Sequence, residues 1–247
     1  MKEAGTSSVQ PVAAEVDERP IDVPLGTTAG SIGRALILAT LTGIIDAAVF
    51  LKTGVLPSVM TANTVFVGLW LVLGRWSSLV PAALAVLAFL VGSMIAARVV
   101  RDFVDSTVRI QQRLAWWEFT ALLFLAGVGV LDLFGIHPWP AIDYTLLAVV
   151  LATMAMALQM PQVRKVEDIG VSTLFTTGAI AGLAYDLADH RTGAKVRRHE
   201  RLYLMLIASY AIGGAIGGLL SLVGPGVALI APVFVFTAAW TWRRRMV

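Results

Sequence analysis

Gly43-Ile44-Ile45-Asp46-Ala47 followed by Val59-Met60-Thr61-Ala62-Asn63-Thr64 decides how this chain is read, because a second version lies downstream in Ala157-Leu158-Gln159 and Leu174-Phe175-Thr176-Thr177-Gly178-Ala179. The two versions lie about 115 positions apart, the separation of Thr61 from Thr176. A third matching pair follows, Phe89-x-x-Gly92-Ser93-x-x-Ala96 against Tyr210-x-x-Gly213-Gly214-x-x-Gly217. The pattern predicts an internal duplication, and membrane proteins built from two repeats commonly place a binding site where the repeats meet.

Composition puts the repeats in a bilayer. The chain is 57% hydrophobic and 14% charged, against about 25% charged in soluble domains, and its mean hydropathy is +0.80. Residues 79–97, 144–163, 202–223 and 225–242 are uncharged apolar windows, each close to the roughly 20 residues that span a hydrocarbon core. Windows 35–51 and 116–136 match them while tolerating Asp46 in one and Glu118 and Asp132 in the other. Two less regular windows, 53–74 and 169–185, carry the Thr-Ala-Asn and Thr-Thr-Gly motifs.

Basic residues separate two topologies. Eight full crossings divide the lysines and arginines 12 against 7, whereas six crossings with 53–74 and 169–185 dipping in from opposite faces and returning divide them 17 against 2. Since cytoplasmic loops collect Lys and Arg, the expectation is an all-α membrane protein of six transmembrane helices plus two broken or re-entrant segments, with both termini cytoplasmic. Three crossings per repeat would insert the halves in opposite orientation. Eight spans in a parallel repeat is the alternative. Trp116, Trp117, Trp240 and Trp242 fall at one interface and Trp76 and Trp139 at the other, as aromatic belts do. Arg98 to Leu114 reads as a helix on the cytoplasmic surface.

The domain reading is a disordered tail over 1–32, one duplicated membrane domain over 33–242 with repeats at about 33–136 and 142–242, and a basic end over 243–247. The tail carries Pro11, Pro20 and Pro24 and five acidic residues before position 30, a make-up poor in core-forming side chains. The first apolar run has no small-residue cleavage pattern after it and reads as an uncleaved span. There are no cysteines, so no disulfide or thiolate metal site is expected.

Asp46 is the leading candidate for function, because an ionisable group near the centre of a span costs about 2.5–3.5 kcal/mol on insertion scales and marks a pathway or a partner. A structural acid tying a broken helix is the competing reading. Gln159 occupies the equivalent place without a titratable proton and suits either a ligand contact or an interhelical hydrogen bond. Thr61, Asn63, Thr64, Thr176 and Thr177 would offer hydroxyl and amide groups to a polar solute or dehydrated ion, with Gly178 permitting a break. Both clusters are expected near the bundle axis, since several polar groups facing lipid would go unpaired. The glycines of 213–218 suit close helix packing.

His137, His190 and His199 lack ligand spacing, and the chain has neither a Walker-type phosphate loop nor a Gly-x-Ser-x-Gly elbow. No cofactor, metal, nucleic acid or enzymatic activity is expected. Arg197, Arg198 and Arg201 suit anionic lipid or serve only to set topology.

The ordered set Gly43-x-x-Asp46-Ala47, Thr61-x-Asn63, Phe89-x-x-Gly92, Gln159 and Phe175-Thr176-Thr177-Gly178 resembles the YoaK-like family of bacterial integral membrane proteins, a group of undefined function, from about residue 33 to 242. Thr61-Ala62-Asn63 stands where that family has Thr-Gly-Asn, and Gln159-Met160-Pro161 where it has Gln-Asn-Ala. The resemblance implies a multi-pass protein of the bacterial inner membrane and supplies no substrate. Two functions follow from the residues: a channel or secondary transporter for a small polar solute or ion, or a non-transporting scaffold whose polar motifs only pack helices.

Overall fold

The computed structural model describes residues 29–103, 107–136, 143–162, 165–166, 169–170, 176–188 and 194–245. Eight α-helices account for nearly all of them: α1 Ala29–Thr53, α2 Met60–Val72, α3 Trp76–Asp102, α4 Thr107–Leu133, α5 Tyr144–Gln159, α6 Thr176–Ala188, α7 Ala194–Val223 and α8 Pro225–Arg245. A 3-10 turn at Met160–Gln162 extends α5, and Lys165–Val166 pairs antiparallel with Ile169–Gly170 in the connection that follows. Most of the expected tail, 1–28, lies outside the described residues, and α1 begins at Ala29.

Local chemistry sets the helix ends. Asp143 caps α5 by accepting from the amides of Thr145 and Leu146, satisfying two of the four donors that a helix start leaves open. Gly54 and Gly74 close α1 and α2 with φ of 72° and 65°, a left-handed conformation that glycine adopts without steric penalty. After Gly74 the amide of Arg75 reaches back to the Trp70 carbonyl at 2.9 Å, which ends α2 in a Schellman turn.

Among the described residues, five helical segments are long and apolar enough to cross a membrane: Ile32–Thr53, Trp76–Asp102, Arg109–Leu133, Tyr144–Gln162 and Glu200–Val223. Met60–Val72 is a shorter apolar helix, and Pro225–Thr241 is the apolar part of α8, the expected sixth span, which continues to Arg245. Large apolar side chains cover the outside, with Val72 85% and Leu222 83% exposed, a surface suited to lipid rather than water. The chain therefore has the make-up of a multi-pass membrane protein. The surface helix expected over Arg98 to Leu114 is not present as one element. Instead α3 runs to Asp102 and α4 starts at Thr107, and Ala96, Val100, Ile110 and Leu114 bury a small cluster with Leu158.

The helices pack in pairs related by exchange of the first four with the last four. α1 lies against α7 as α5 lies against α3; α4 meets α5 as α8 meets α1; α2 rests on α3 as α6 rests on α7. Contacts at the two ends give directions. Arg34 reaches Gln111 and Lys52 reaches Asp132, so α1 and α4 run the same way. α5 opposes α1, since Arg34 meets Gln162 while Gln159 meets Thr42. α8 opposes α4, since Phe119 stacks on Phe236 while Gly129 abuts Gly226. α7 follows α1: Gly213 faces Thr40 and Gly217 faces Ile44.

Small residues permit the α1–α7 contact. A Cβ on Gly213 would overlap the Thr40 carbonyl oxygen, and one on Gly217 would lie 2.5 Å from the Ile44 carbonyl oxygen. Backbones this close are typical where helices associate without a hydrophobic driving force between them.

Candidate functional site: a buried polar stripe on α1

Arg34, Leu38, Thr42 and Asp46 recur every four residues along α1, so they form one stripe of the helix. Each polar member of the stripe is met by another element. At one end Arg34 donates to Gln162 Oε1 at 2.6 Å, and Gln162 Nε2 donates to Glu118 Oε2 at 2.5 Å. In the middle, Gln159 Nε2 donates to Thr42 Oγ1 at 3.0 Å and to the Leu38 carbonyl at 3.3 Å. At the other end Asp46 takes three hydrogen bonds. The Ser58 amide donates to Oδ1 at 2.9 Å, while the Ser58 hydroxyl and the Tyr210 hydroxyl, the latter at 2.6 Å, both donate to Oδ2.

These groups are out of solvent. Asp46, Ser58, Thr42, Glu118, Gln159 and Gln162 are all buried. An ion or amide sealed in an apolar bundle is tolerated only when its hydrogen bonds are made inside the protein. Asp46 meets that condition. Glu118 meets it in part, because its Oε1 has no hydrogen-bond partner among the described residues. Thr153 Oγ1, buried on α5, has none either.

Ser58 reaches Asp46 because the chain turns back into the bundle. Asp46 lies seven residues before the end of α1 at Thr53, about 10 Å below it at 1.5 Å per residue. The limb from Gly54 to Val59 descends to that depth, and α2 starts there. Its 13 residues reach about 20 Å, less than the roughly 30 Å of a hydrocarbon core. Asn63 holds the limb: its Nδ2 donates to the Leu56 carbonyl at 2.8 Å and its Oδ1 accepts the Leu56 amide at 3.3 Å. One side chain thus satisfies both backbone groups of a half-buried non-helical residue.

The residues singled out by the duplicated motifs divide. Asp46, Asn63 and Gln159 are buried in the bundle. Thr61 and Thr64 are exposed, and the Thr64 hydroxyl turns back to the Met60 carbonyl one turn earlier. Thr177 and Gly178 are exposed as well, and the side chain of Thr176 lies outside the described residues. The two threonine clusters therefore do not converge as expected. α2 packs on α3 and α6 on α7, so each short helix lies against a long one of its own half.

Ser58, Tyr210, Thr42, Arg34, Glu118 and Gln162 complete the stripe without having stood out as site residues in the sequence. Two carried a signal. Glu118 is an acid inside an apolar window, and Tyr210 places a hydroxyl at the position of its pattern that Phe89 holds upstream. Asp132, the other acid of the 116–136 window, forms a half-buried ion pair with Lys52 at 2.6 Å.

A family model described as Protein of unknown function (DUF1275) matches residues 34–241. The chain belongs to that family. The match begins at Arg34 and ends at Thr241, so it contains every residue of the stripe as well as both short helices. No curated protein and no solved structure matches the chain.

Proposed function

We propose that this DUF1275 member is a channel or secondary transporter for a small polar solute or ion, built as an inverted duplication with six crossings, and that its pathway follows the α1 stripe from Glu118 to Asp46. The observation that carries the reading is Glu118, a carboxylate fully buried in a crossing helix with one oxygen left unpartnered among the described residues. Such groups inside membranes mark substrate and ion routes. Asp46, at the tip of the descending limb, is a second ionisable group on the same stripe. Asn63 and Gln159 are its amide neighbours in this reading, while Thr61, Thr64, Thr177 and Gly178 lie outside the path.

Helix direction supports six crossings. If α2 and α6 both crossed, α1 and α4 would be opposed and α4 and α8 would run the same way, the reverse of what the paired contacts give. Both relations follow when α2 and α6 enter and leave on one face. That topology gathers 17 of 19 basic residues on the side of Arg34 and makes it cytoplasmic, with both termini inside. The likeness of the motifs to YoaK-like proteins fits a bacterial inner membrane. The part of α7 that carries Arg197, Arg198 and Arg201 then lies on the cytoplasmic side, where anionic headgroups are available.

A scaffold is the second reading, favoured by one observation: Asn63 turns both ends of its amide to neighbours in the limb and α2, Leu56 and Met60, as a packing residue would. Reconstitution separates the two. Purified protein in proteoliposomes is assayed with a panel of small polar solutes and monovalent ions, beside Glu118→Gln and Asp46→Asn. Transport requires a flux that both substitutions reduce while the protein remains folded. A scaffold gives no flux above empty vesicles for any solute.

A further inference from the structure

The first turns of α4 carry a feature unconnected with the stripe. Arg109, Gln112, Arg113, Trp116, Trp117 and Thr120 recur at intervals of three or four and share one exposed face, whereas Ile110, Leu114, Ala115 and Glu118 point inward. Together with Phe103 from the end of α3 they line an open cavity of about 620 Å³, a volume typical of sites for small ligands. Two of its walls are held in place. The Arg113 guanidinium lies over the Phe103 ring at 5.5 Å, a cation–π contact, and Trp116 packs edge-on against Phe119 at 6.1 Å.

Chemistry changes along the face in a set order. Two arginines come first, then two tryptophans 59% and 53% exposed, then Thr120, with exposed Leu123 and Phe124 beyond. A phospholipid offers the matching series of phosphate, glycerol-ester region and acyl chain, and tryptophan favours the middle of it. No other occupant discussed for this chain needs cations at one end and bare apolar surface at the other.

We propose that this cavity binds the headgroup of an anionic phospholipid in the leaflet on the Arg34 side, with the phosphate against Arg109 and Arg113 and the acyl chains descending past Thr120. It requires only that α4 crosses the membrane, and it stands or falls separately from the transport reading.

Native mass spectrometry of the full chain in neutral detergent, titrated with dioleoyl phosphatidylglycerol or dioleoyl phosphatidylcholine, tests the site. One phosphatidylglycerol should be retained more tightly than phosphatidylcholine. The double variant Arg109→Gln/Arg113→Gln should weaken that retention at least about tenfold, given the attraction of each basic residue to an anionic surface. Arg98→Gln/Arg101→Gln removes the same charge from exposed positions on the same side and should leave it unchanged. Thr120→Trp fills the cavity without altering charge and should weaken it as well. Equal weakening by both arginine doubles would show diffuse attraction and overturn the proposal. So would equal retention of the two lipids, or displacement of phosphatidylglycerol by inorganic phosphate, which would identify a free-phosphate site.

Discussion

The Tyr210 hydroxyl stands 2.6 Å from Oδ2 of Asp46, a residue 164 positions earlier in the chain. Because Ser58 shares that oxygen, one carboxylate fastens α7 and the limb before α2 to the middle of α1. α1 and α7 otherwise approach along Gly43, Gly213 and Gly217, small residues that pack closely but fix no register.

Removing the carboxylate should therefore loosen both attachments. Asp46→Ala strands the Ser58 amide and the Tyr210 hydroxyl and should cost about 2–5 kcal/mol, at about 1–3 kcal/mol for each buried donor left unsatisfied. Asp46→Asn keeps the shape and an acceptor for Ser58 and should cost about 1–2 kcal/mol. Thermal unfolding in detergent, followed by circular dichroism, ranks the two. Equal losses would contradict the hydrogen-bonding role.

Tyr210→Phe deletes a single donor and keeps the ring. Its cost should be near 1 kcal/mol, with flux reduced in the reconstituted protein if Asp46 lies on the pathway. Unaltered flux together with lowered stability would assign the tyrosine to packing alone.

Gly213 and Gly214 are adjacent yet should respond in opposite ways. A methyl at 213 collides with the Thr40 carbonyl, whereas one at 214 meets open space. Gly213→Ala should sharply lower expression and melting temperature by separating α1 from α7. Gly214→Ala should be neutral or stabilising by up to about 1 kcal/mol, the helix preference of alanine over glycine.

The side chains of Thr64 and Asn63 make the same contrast within α2. Thr64→Val loses only a bond to its own helix and should change stability by less than about 0.5 kcal/mol. Asn63→Leu strands both groups of the Leu56 peptide and should cost at least about 2 kcal/mol. The same melts measure this pair.

The chain has no cysteine, so single cysteines report topology cleanly. With six crossings, Leu73→Cys, in the exposed turn after α2, should react with a membrane-impermeant thiol reagent on intact cells, and Gln112→Cys only after permeabilisation. Labelling of position 112 from outside would overturn the orientation and the crossing count together.

Sequence by itself determined the helical class, the windows of the long helices and the places where two short ones interrupt them. Apolarity over about 20 consecutive residues is a property of the local chain and needs no partner to be read. Asp46, Asn63 and Gln159 were legible for a related reason: a polar group inside an apolar window must be satisfied within the protein. Their partners were not legible. Ser58 stands in an unremarkable loop, Gln162 follows a helix end, and Arg34 reads as one more basic residue near a membrane face. Only the folded bundle decides that Ser58 meets Asp46 and that Arg34 meets Gln162, which in turn meets Glu118, because hydrogen bonds between helices depend on how the helices cross rather than on spacing along the chain. The threonine clusters err in the opposite direction. Their repetition is visible in sequence, but a threonine hydroxyl can bond its own helix carbonyl, so nothing obliges it to face the core. Direction was likewise decided in three dimensions, where Arg34 beside Gln111 and Lys52 beside Asp132 align α1 with α4.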